Sequence, residues 1–166
     1  MPFRLSNEGE KWFKDISKSS KTGFQTDFDA YYFCFIAGIT CGQKKSLPVS
    51  ETRELVEYFP DRFKQRGRLI VALFLCRELI ELGVQFREKK AVHSAISKLI
   101  MPESPSYLSD EGMKEFNKYA NGGYEVLTQW FHDRPRSLDT FLRLFKAKLE
   151  RELNKETNSW AQGLIM

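Results

Sequence analysis

The sequence predicts an all-α protein, a single compact domain of about seven helices around two largely buried helices. Three observations lead to this prediction. Apolar residues recur at helical spacing, and capping residues, glycines and prolines bracket the periodic segments. A chain of 166 residues is also long enough for one domain with its own core. We place the helical domain at residues 1–153 and a polar C-terminal tail at residues 154–166.

The first helix is predicted from about residue 6 to residue 21, after a short extended lead at residues 3–5. Its apolar side chains, Trp12, Phe13 and Ile16, fall on one side at 100° per residue. The opposite side carries only basic residues, namely Lys11, Lys14, Lys18 and Lys21. The helix is therefore expected to be amphipathic, with a purely basic outer stripe, and a polar break follows it at residues 19–23.

The central helix is predicted at residues 26–40, a segment that is apolar on nearly every side. A membrane span needs about 20 apolar residues, so this shorter segment is interpreted as a buried helix. Thr26 and Asp29 have the spacing of a capping box, and Gly42 supplies a C-terminal cap. The same caps favour a helix over the strand that its aromatic residues would also suit.

Three more helices are predicted in the middle of the chain. Ser50 and Pro60 bracket a short helix that ends near residue 59. Residues 64–82 are almost continuously apolar and predict the second buried helix. Residues 87–101 repeat the amphipathic pattern and end at two prolines.

The C-terminal part predicts two further helices. The first begins near residue 109 and is expected to break at Gly122 and Gly123, with a short continuation to residue 131. The second spans residues 137–153 and carries an apolar stripe opposite several basic residues. The polar tail that follows is expected to fray.

The cysteines and histidines do not form a recognisable catalytic or metal-binding pattern. Cys34, Cys41 and Cys76 lie in apolar helical segments without a Cys-x-x-Cys pair, so we expect small buried side chains in a reducing compartment and no metal site. The chain also lacks a glycine-rich phosphate loop, a serine-hydrolase elbow and a His-Glu-x-x-His motif. The sequence therefore assigns no catalytic residue.

Two acidic patterns have residue types that a nuclease site would need. Pro60-Asp61 with Glu88-Lys89-Lys90 matches the acidic and lysine pattern of many restriction nucleases, which works on adjacent strands. Here both segments border helices, so coincidence explains the match better. Asp27 and Asp29 form a second acidic pair, and capping of the central helix explains it more simply.

The lysines give a stronger signal. Residues 1–100 carry 17 Lys or Arg against 12 Asp or Glu, whereas residues 101–166 carry 9 against 10, so a polyanion is expected to meet the N-terminal portion. A charged helix face is often only a solvated surface. Lysines along one helix face are also placed to bind successive phosphates of a nucleic acid, and such contacts do not depend on the base sequence. The predicted DNA-binding residues are Lys11, Lys14, Lys18, Lys21, Lys44 and Lys45.

The N-terminal segment combines Phe3-Arg4-Leu5-Ser6, a helix ending in Lys21-Thr22-Gly23-Phe24, and Cys34 early in the next helix. In these features it resembles DndE, the small helical component of bacterial DNA phosphorothioation (DNA sulfur modification) clusters. DndE proteins are shorter, so most of this chain has no counterpart in them. The resemblance implies an oligomer whose lysine-rich surface binds nicked duplex DNA. SspB, a longer relative of DndE, is a nicking enzyme, so the resemblance also implies DNA nicking as an alternative activity.

The leading hypothesis is a cytoplasmic, homo-oligomeric DNA-binding accessory protein of a phosphorothioation or related phage-defence system. It would contact the DNA backbone and other proteins of that system, and it has no predicted membrane segment. The first alternative is a DNA nicking endonuclease of the same system, for which Mg²⁺ would be the cofactor. The second alternative is a helical protein-interaction module that does not touch DNA.

Overall fold

A computed structural model describes residues 1–18 and 23–163, with side chains described up to residue 155. In these residues the protein consists of seven α-helices and one two-stranded antiparallel sheet, which confirms the all-α prediction. The strands are β1 (Arg4–Ser6) and β2 (Thr52–Glu54). The helices are α1 (Asn7–Lys18), α2 (Asp27–Cys41), α3 (Asp61–Lys64), α4 (Gly67–Glu81), α5 (Lys89–Leu99), α6 (Asp110–Trp130) and α7 (Leu138–Gly163).

The central helix α2 has the predicted boundaries and the predicted burial. The backbone N–H of Thr26 donates to Oδ2 of Asp29 at 2.8 Å, as a capping box requires. At the other end Gly42 takes the left-handed conformation, with φ of 63°. Side chains on several sides of α2, including Tyr31, Phe35 and Ala37, are 0% exposed. The other elements therefore surround this helix.

The second buried helix is α6, and it runs unbroken through Gly122 and Gly123. A Cβ atom on Gly123 would lie 1.6 Å from the carbonyl oxygen of Cys34 in α2. In the other direction, a Cβ atom on Gly38 would lie 2.0 Å from the carbonyl oxygen of Tyr119. The prediction of a break at this glycine pair is wrong, because the glycines allow two helix backbones to touch rather than ending a helix.

Helix α4 is buried on one face only, although the sequence predicted a largely buried helix at residues 64–82. Its inner face packs Ile70, Val71 and Phe74 into the core. Its outer face exposes Leu69, Leu73, Ile80 and Leu82, which are 61%, 43%, 52% and 60% exposed. The run of apolar residues there reflects an apolar core face together with an apolar surface.

The predicted short helix at residues 50–59 is also wrong. A 3₁₀ turn at Val49–Glu51 leads into β2, which pairs with β1 in the register Arg4 to Glu54 and Ser6 to Thr52. The extended lead at residues 3–5 is thereby confirmed as part of a strand pair. Cross-strand hydrogen bonds from distant residues stabilise β2, and a local helical pattern does not reveal them.

The last helix, α7, continues to Gly163, past the predicted end at residue 153. It packs on the core through Phe141 and Phe145, which are 0% and 6% exposed. The ring of Phe141 lies 5.4 Å from that of Phe13 and 5.1 Å from that of Phe33, so α7 is joined to both α1 and α2. Of the helices in the described part of the chain, none has the length and apolar content needed to cross a membrane.

Candidate nucleic-acid interface on α1

Helix α1 has a buried side and a lysine-bearing side, as its sequence predicts. The hydroxyl oxygen of Ser6 accepts from the backbone N–H of Gly9 at 3.0 Å and caps the first turn. Phe13 and Ile16 are 2% and 0% exposed on the side that faces the core. The exposed side carries Lys11, Lys14 and Lys18. Lys21, the fourth predicted residue of the stripe, lies outside the described residues.

Two acidic residues flank the lysines of α1, so the stripe is not purely basic as predicted. Glu10 lies along one edge and forms an ion pair with Lys14. Asp15 lies along the other edge, 3.9 Å from the ammonium nitrogen of Lys18. Both pairs are at i,i+3 or i,i+4 spacing, where side chains meet on a helix surface. These acids reduce the charge that the lysines alone would present.

Two arginines from other elements restore the positive charge. Arg53 on β2 forms an ion pair with Glu10, and Nη1 of Arg134 lies 2.8 Å from Oδ2 of Asp15. Glu10 and Asp15 are therefore each shared between a lysine and an arginine, whereas Glu8, the third acid of α1, is exposed and pairs with none of these cations in the described residues. We call the five basic residues of this surface the basic band; they are Lys11, Lys14, Lys18, Arg53 and Arg134.

The basic band has a net positive charge. Its five cations are accompanied by four carboxylates: those of Glu8, Glu10 and Asp15 on α1, and that of Asp27, which lies 4.0 Å from Arg53. The difference is +1. The side chain of Lys18 is 77% exposed and that of Lys14 is 48% exposed, and Lys11 has no ion-pair partner among the described residues. The ammonium groups remain accessible to a solvent-borne anion.

Sequence reasoning missed Arg53 and Arg134 because neither belongs to α1. Arg53 reaches the band only because β2 pairs with β1, which leads directly into α1. Arg134 lies in the connection between α6 and α7, which the packing of Phe141 against Phe13 brings to α1. No local pattern marks either residue as a neighbour of the lysines.

The predicted binding residue Lys44 lies in an internal ion cluster. Its Nζ is 2.5 Å from Glu78 and 2.9 Å from Glu115, and it lies 4.8 Å from the ring centre of Tyr119. Burial lowers the pKa of Lys44, but hydrogen bonds to the two carboxylates outweigh that effect and raise the pKa above its usual value. The ammonium group is charged, and two carboxylates neutralise it.

Lys45 also has an ion-pair partner in the protein, and both side chains are partly exposed. Its Nζ lies 2.5 Å from Oε1 of Glu125 on α6. It borders a pocket of about 360 Å³ together with Glu8 and Glu51, both acidic. The structure therefore places Lys45 in mixed-charge surroundings, and neither Lys44 nor Lys45 contacts a member of the basic band.

The cysteines offer no activated nucleophile. Cys34 is 0% exposed, and burial raises the pKa of its thiol, which keeps it protonated at neutral pH. Cys41 is half-buried. Cys76 is exposed, so the expectation that all three are buried is wrong for this residue. It stands on the outer face of α4, where the local apolar pattern does not imply burial.

Neither acidic pattern forms a nuclease site in the described structure. The residues of the first pattern lie in separate elements, and Asp29 of the second pattern caps a helix. Asp61 begins α3 and Glu88 precedes α5, so they do not lie on adjacent strands. Asp29 caps α2 and accepts from Arg62 at 3.3 Å. Within residues 1–18 and 23–155, no three His, Cys, Asp or Glu side chains come together as a group able to hold a metal ion.

Comparison with protein-family models, with curated proteins and with solved structures finds no match to this chain. The resemblance to DndE therefore rests on the N-terminal residues quoted above.

Proposed function

We propose that this protein binds the DNA backbone through the basic band. One observation carries the proposal: Arg53 and Arg134 pair with the two acids that flank the lysine row of α1, and the surface keeps a net positive charge beside three exposed lysines. A surplus of cations along one helix is typical of a surface that meets phosphates.

The spacing of the lysines suits a short stretch of duplex. Lys11 and Lys18 are separated by about 10 Å along α1, from a rise of 1.5 Å per residue. That distance corresponds to about three base-pair steps of 3.4 Å along one strand. Lysine ammonium groups bind phosphate as point charges and do not read bases. Binding should therefore be sensitive to salt and tolerant of sequence.

The two arginines have a positioning role in this proposal. Each holds a carboxylate at the edge of the lysine row, with Arg53 at Glu10 and Arg134 at Asp15. Those ion pairs keep the acids at the sides of the band, so that a phosphate approaching the lysines meets ammonium groups first. Removal of either arginine should take a cation away from its carboxylate and weaken binding.

For the biological setting we propose a DNA phosphorothioation or related defence system. The support is the resemblance of the N-terminal residues to DndE, including Cys34 in α2. That resemblance implies a preference for nicked duplex DNA, and partners among the other proteins of such a system. Both points are separate from backbone binding, and nicked duplex DNA is the substrate that tests the first of them.

The test replaces Lys11, Lys14 and Lys18 together by glutamine. We expect the slope of log affinity against log salt on duplex DNA to flatten by about 0.9 for each phosphate that is no longer neutralised, or nearly 3 in total. Affinity should fall about equally for unrelated sequences. The matched control replaces Lys89, Lys90 and Lys98, which are also exposed, and removes the same charge from α5.

An equal change of slope in the two variants would contradict the proposal, because it would show a general effect of net charge. The same titrations on intact, nicked and single-stranded DNA, with and without Mg²⁺, separate the alternatives. Tighter binding to nicked duplex supports the phosphorothioation setting. Appearance of nicked product from intact DNA would instead favour the endonuclease alternative.

A further inference from the structure

The outer face of α4 presents a row of exposed side chains with regular spacing. Leu69, Leu73, Cys76 and Ile80 follow one another at intervals of four, three and four residues. The three apolar members are 61%, 43% and 52% exposed, and Cys76 is exposed too. This spacing is that of a coiled-coil seam, where such residues pack against a second helix of the same spacing. We call these four residues the α4 seam.

The α4 seam borders an apolar groove. Ile36 and Ile39 of α2 and Leu149 of α7 line it together with Leu73, Cys76 and Ile80 of the seam. The groove has a volume of about 340 Å³. Thr40 and Arg77 also line the groove. Isolated exposed leucines are common on protein surfaces, but a larger apolar patch rimmed by polar residues is typical of a surface that packs against another molecule.

The two ends of α4 differ in charge. Arg66 and Arg68 lie exposed at its start, whereas Glu81 in its last turn is exposed and pairs with Arg77 at 2.9 Å. If a second α4 packs antiparallel, the basic start of each helix meets the Arg77–Glu81 pair of the other, and the two helix dipoles run in opposite directions, which is favourable. If it packs parallel, the arginines of the two copies face each other and repel.

We propose that the α4 seam is the contact between two copies of this chain, packed antiparallel around a two-fold axis. In this arrangement Leu69 packs against the second copy's residue 80, and Leu73 packs against its residue 76. The seam is complementary to itself, as a two-fold contact requires, because reversing its order of intervals gives the same order. Repulsion between the arginines of the two copies in a parallel arrangement then selects the antiparallel direction.

The first experiment measures mass by sedimentation equilibrium over a range of protein concentrations. We expect the unmodified chain to be a dimer that dissociates on dilution. Leu73→Glu should weaken dimerisation at least about tenfold, because it places a carboxylate at the centre of the contact. Leu144→Glu is the matched control, since Leu144 is 37% exposed on α7 and does not line the groove.

A monomer at every concentration, or equal dimerisation by Leu73→Glu and the unmodified chain, would overturn the proposal. Because Leu73 is already 43% exposed, the variant should keep its helical circular dichroism spectrum. A dimer that Leu144→Glu weakens as much as Leu73→Glu does would also overturn it.

The second experiment tests the direction of packing by cross-linking with a short bismaleimide. In a chain carrying Cys41→Ser and Cys76→Ser, Leu69→Cys and Ile80→Cys are introduced separately. The antiparallel arrangement predicts a cross-linked dimer when the two variants are mixed. For either variant alone it predicts little cross-linked dimer, because the two copies of residue 69 are then about 16 Å apart along the helix axis. Efficient cross-linking of the Leu69→Cys variant with itself would indicate parallel packing and overturn the proposal.

Discussion

At the scale of single residues, the availability of a charge depends on its partners. Glu78 is only 5% exposed, and its carboxylate accepts from the hydroxyl of Tyr119 at 2.6 Å and pairs with Lys44. A buried charge without such partners would cost several kcal/mol. Lys44 is therefore required inside the protein, whereas Lys18 is exposed and can meet a ligand.

Glu115 should make stability depend on acid pH. Burial raises the pKa of its carboxyl, but hydrogen bonds from Lys118 and Lys44 outweigh this and hold the pKa below its usual value. The pairing therefore contributes fully above the unfolded-state pKa of about 4.3 and is lost as the pH falls through the lower folded-state pKa. We expect Glu115→Gln to cost about 1 kcal/mol at pH 7, since the side chain is 23% exposed.

The measurement is urea denaturation of both proteins from pH 7 to pH 3. The gap in unfolding free energy between the wild type and Glu115→Gln should shrink below about pH 4. Glu111→Gln on the same helix is the control, because Glu111 is exposed and shows no ion pair in the described residues. A gap that stays constant down to pH 3 would contradict this account.

Gly123 should not tolerate a side chain. A Cβ atom there would lie 1.6 Å from the carbonyl oxygen of Cys34, and the obstacle is backbone, which cannot rotate away. Separating α2 from α6 to make room should cost about 3 kcal/mol or more in unfolding free energy. Gly83→Ala is the control, since no atom lies within 4 Å of its Cβ position and only the φ of +67° opposes the change, at roughly 1 kcal/mol.

Chemical denaturation of the two alanine variants measures these costs. Equal losses of unfolding free energy at Gly123 and Gly83 would mean that the glycines of α6 are not needed for the two helices to touch.

At the scale of elements, α6 organises the N-terminal strand as well as α2. The amide oxygen of Asn117 accepts from the backbone N–H of Arg4 at 2.9 Å, and that of Asn121 accepts from the backbone N–H of Ser6 at 2.9 Å. Both asparagines are buried. They accept from backbone N–H groups of β1 that have no partner on a third strand in the described residues. The two-stranded sheet can therefore lie against a helix without leaving these buried donors unsatisfied.

The central position of α2 predicts that a charge inside it unfolds the protein. Ala37 is 0% exposed, and Ala37→Glu would bury a carboxylate with no counter-ion. The expected cost of several kcal/mol is comparable to a total stability of about 5 to 15 kcal/mol. Phe35→Asp should act in the same way, because Phe35 is also 0% exposed and stacks 3.9 Å from the ring of Phe116.

Circular dichroism at 222 nm and thermal unfolding measure the result. Gln25→Glu, an exposed change just before the same helix, should alter stability by less than about 0.5 kcal/mol. If Ala37→Glu instead folds and melts like Gln25→Glu, α2 is not the centre of the core.

At the scale of the whole molecule, the basic band and the α4 seam are separate surfaces. The band is built on α1, β2 and the connection after α6, whereas the seam lies on α4 beside α2 and α7. They share no residue, so Leu73→Glu should leave the affinity of a single basic band for a short duplex in place. A dimer would carry two basic bands, so binding to a long duplex would gain from their linkage, and Leu73→Glu should remove that gain.

Several features of this architecture were predictable because they depend on neighbours close in sequence. The caps of α2 at Thr26 and Gly42 follow from local residue types and are found where expected. The burial of Phe13 opposite the lysines of α1 follows from helical spacing. The lysine row itself was visible for the same reason.

The sequence by itself therefore determined the all-α class, the central helix and the lysine face of α1. Only the tertiary structure decided that β2 is a strand, that Gly123 joins two helices, and that Arg53 and Arg134 complete the basic band. The physical reason is the range of the interactions. Helix periodicity and caps act within about four residues, whereas strand pairing, backbone packing and ion pairing join atoms that the fold alone brings together.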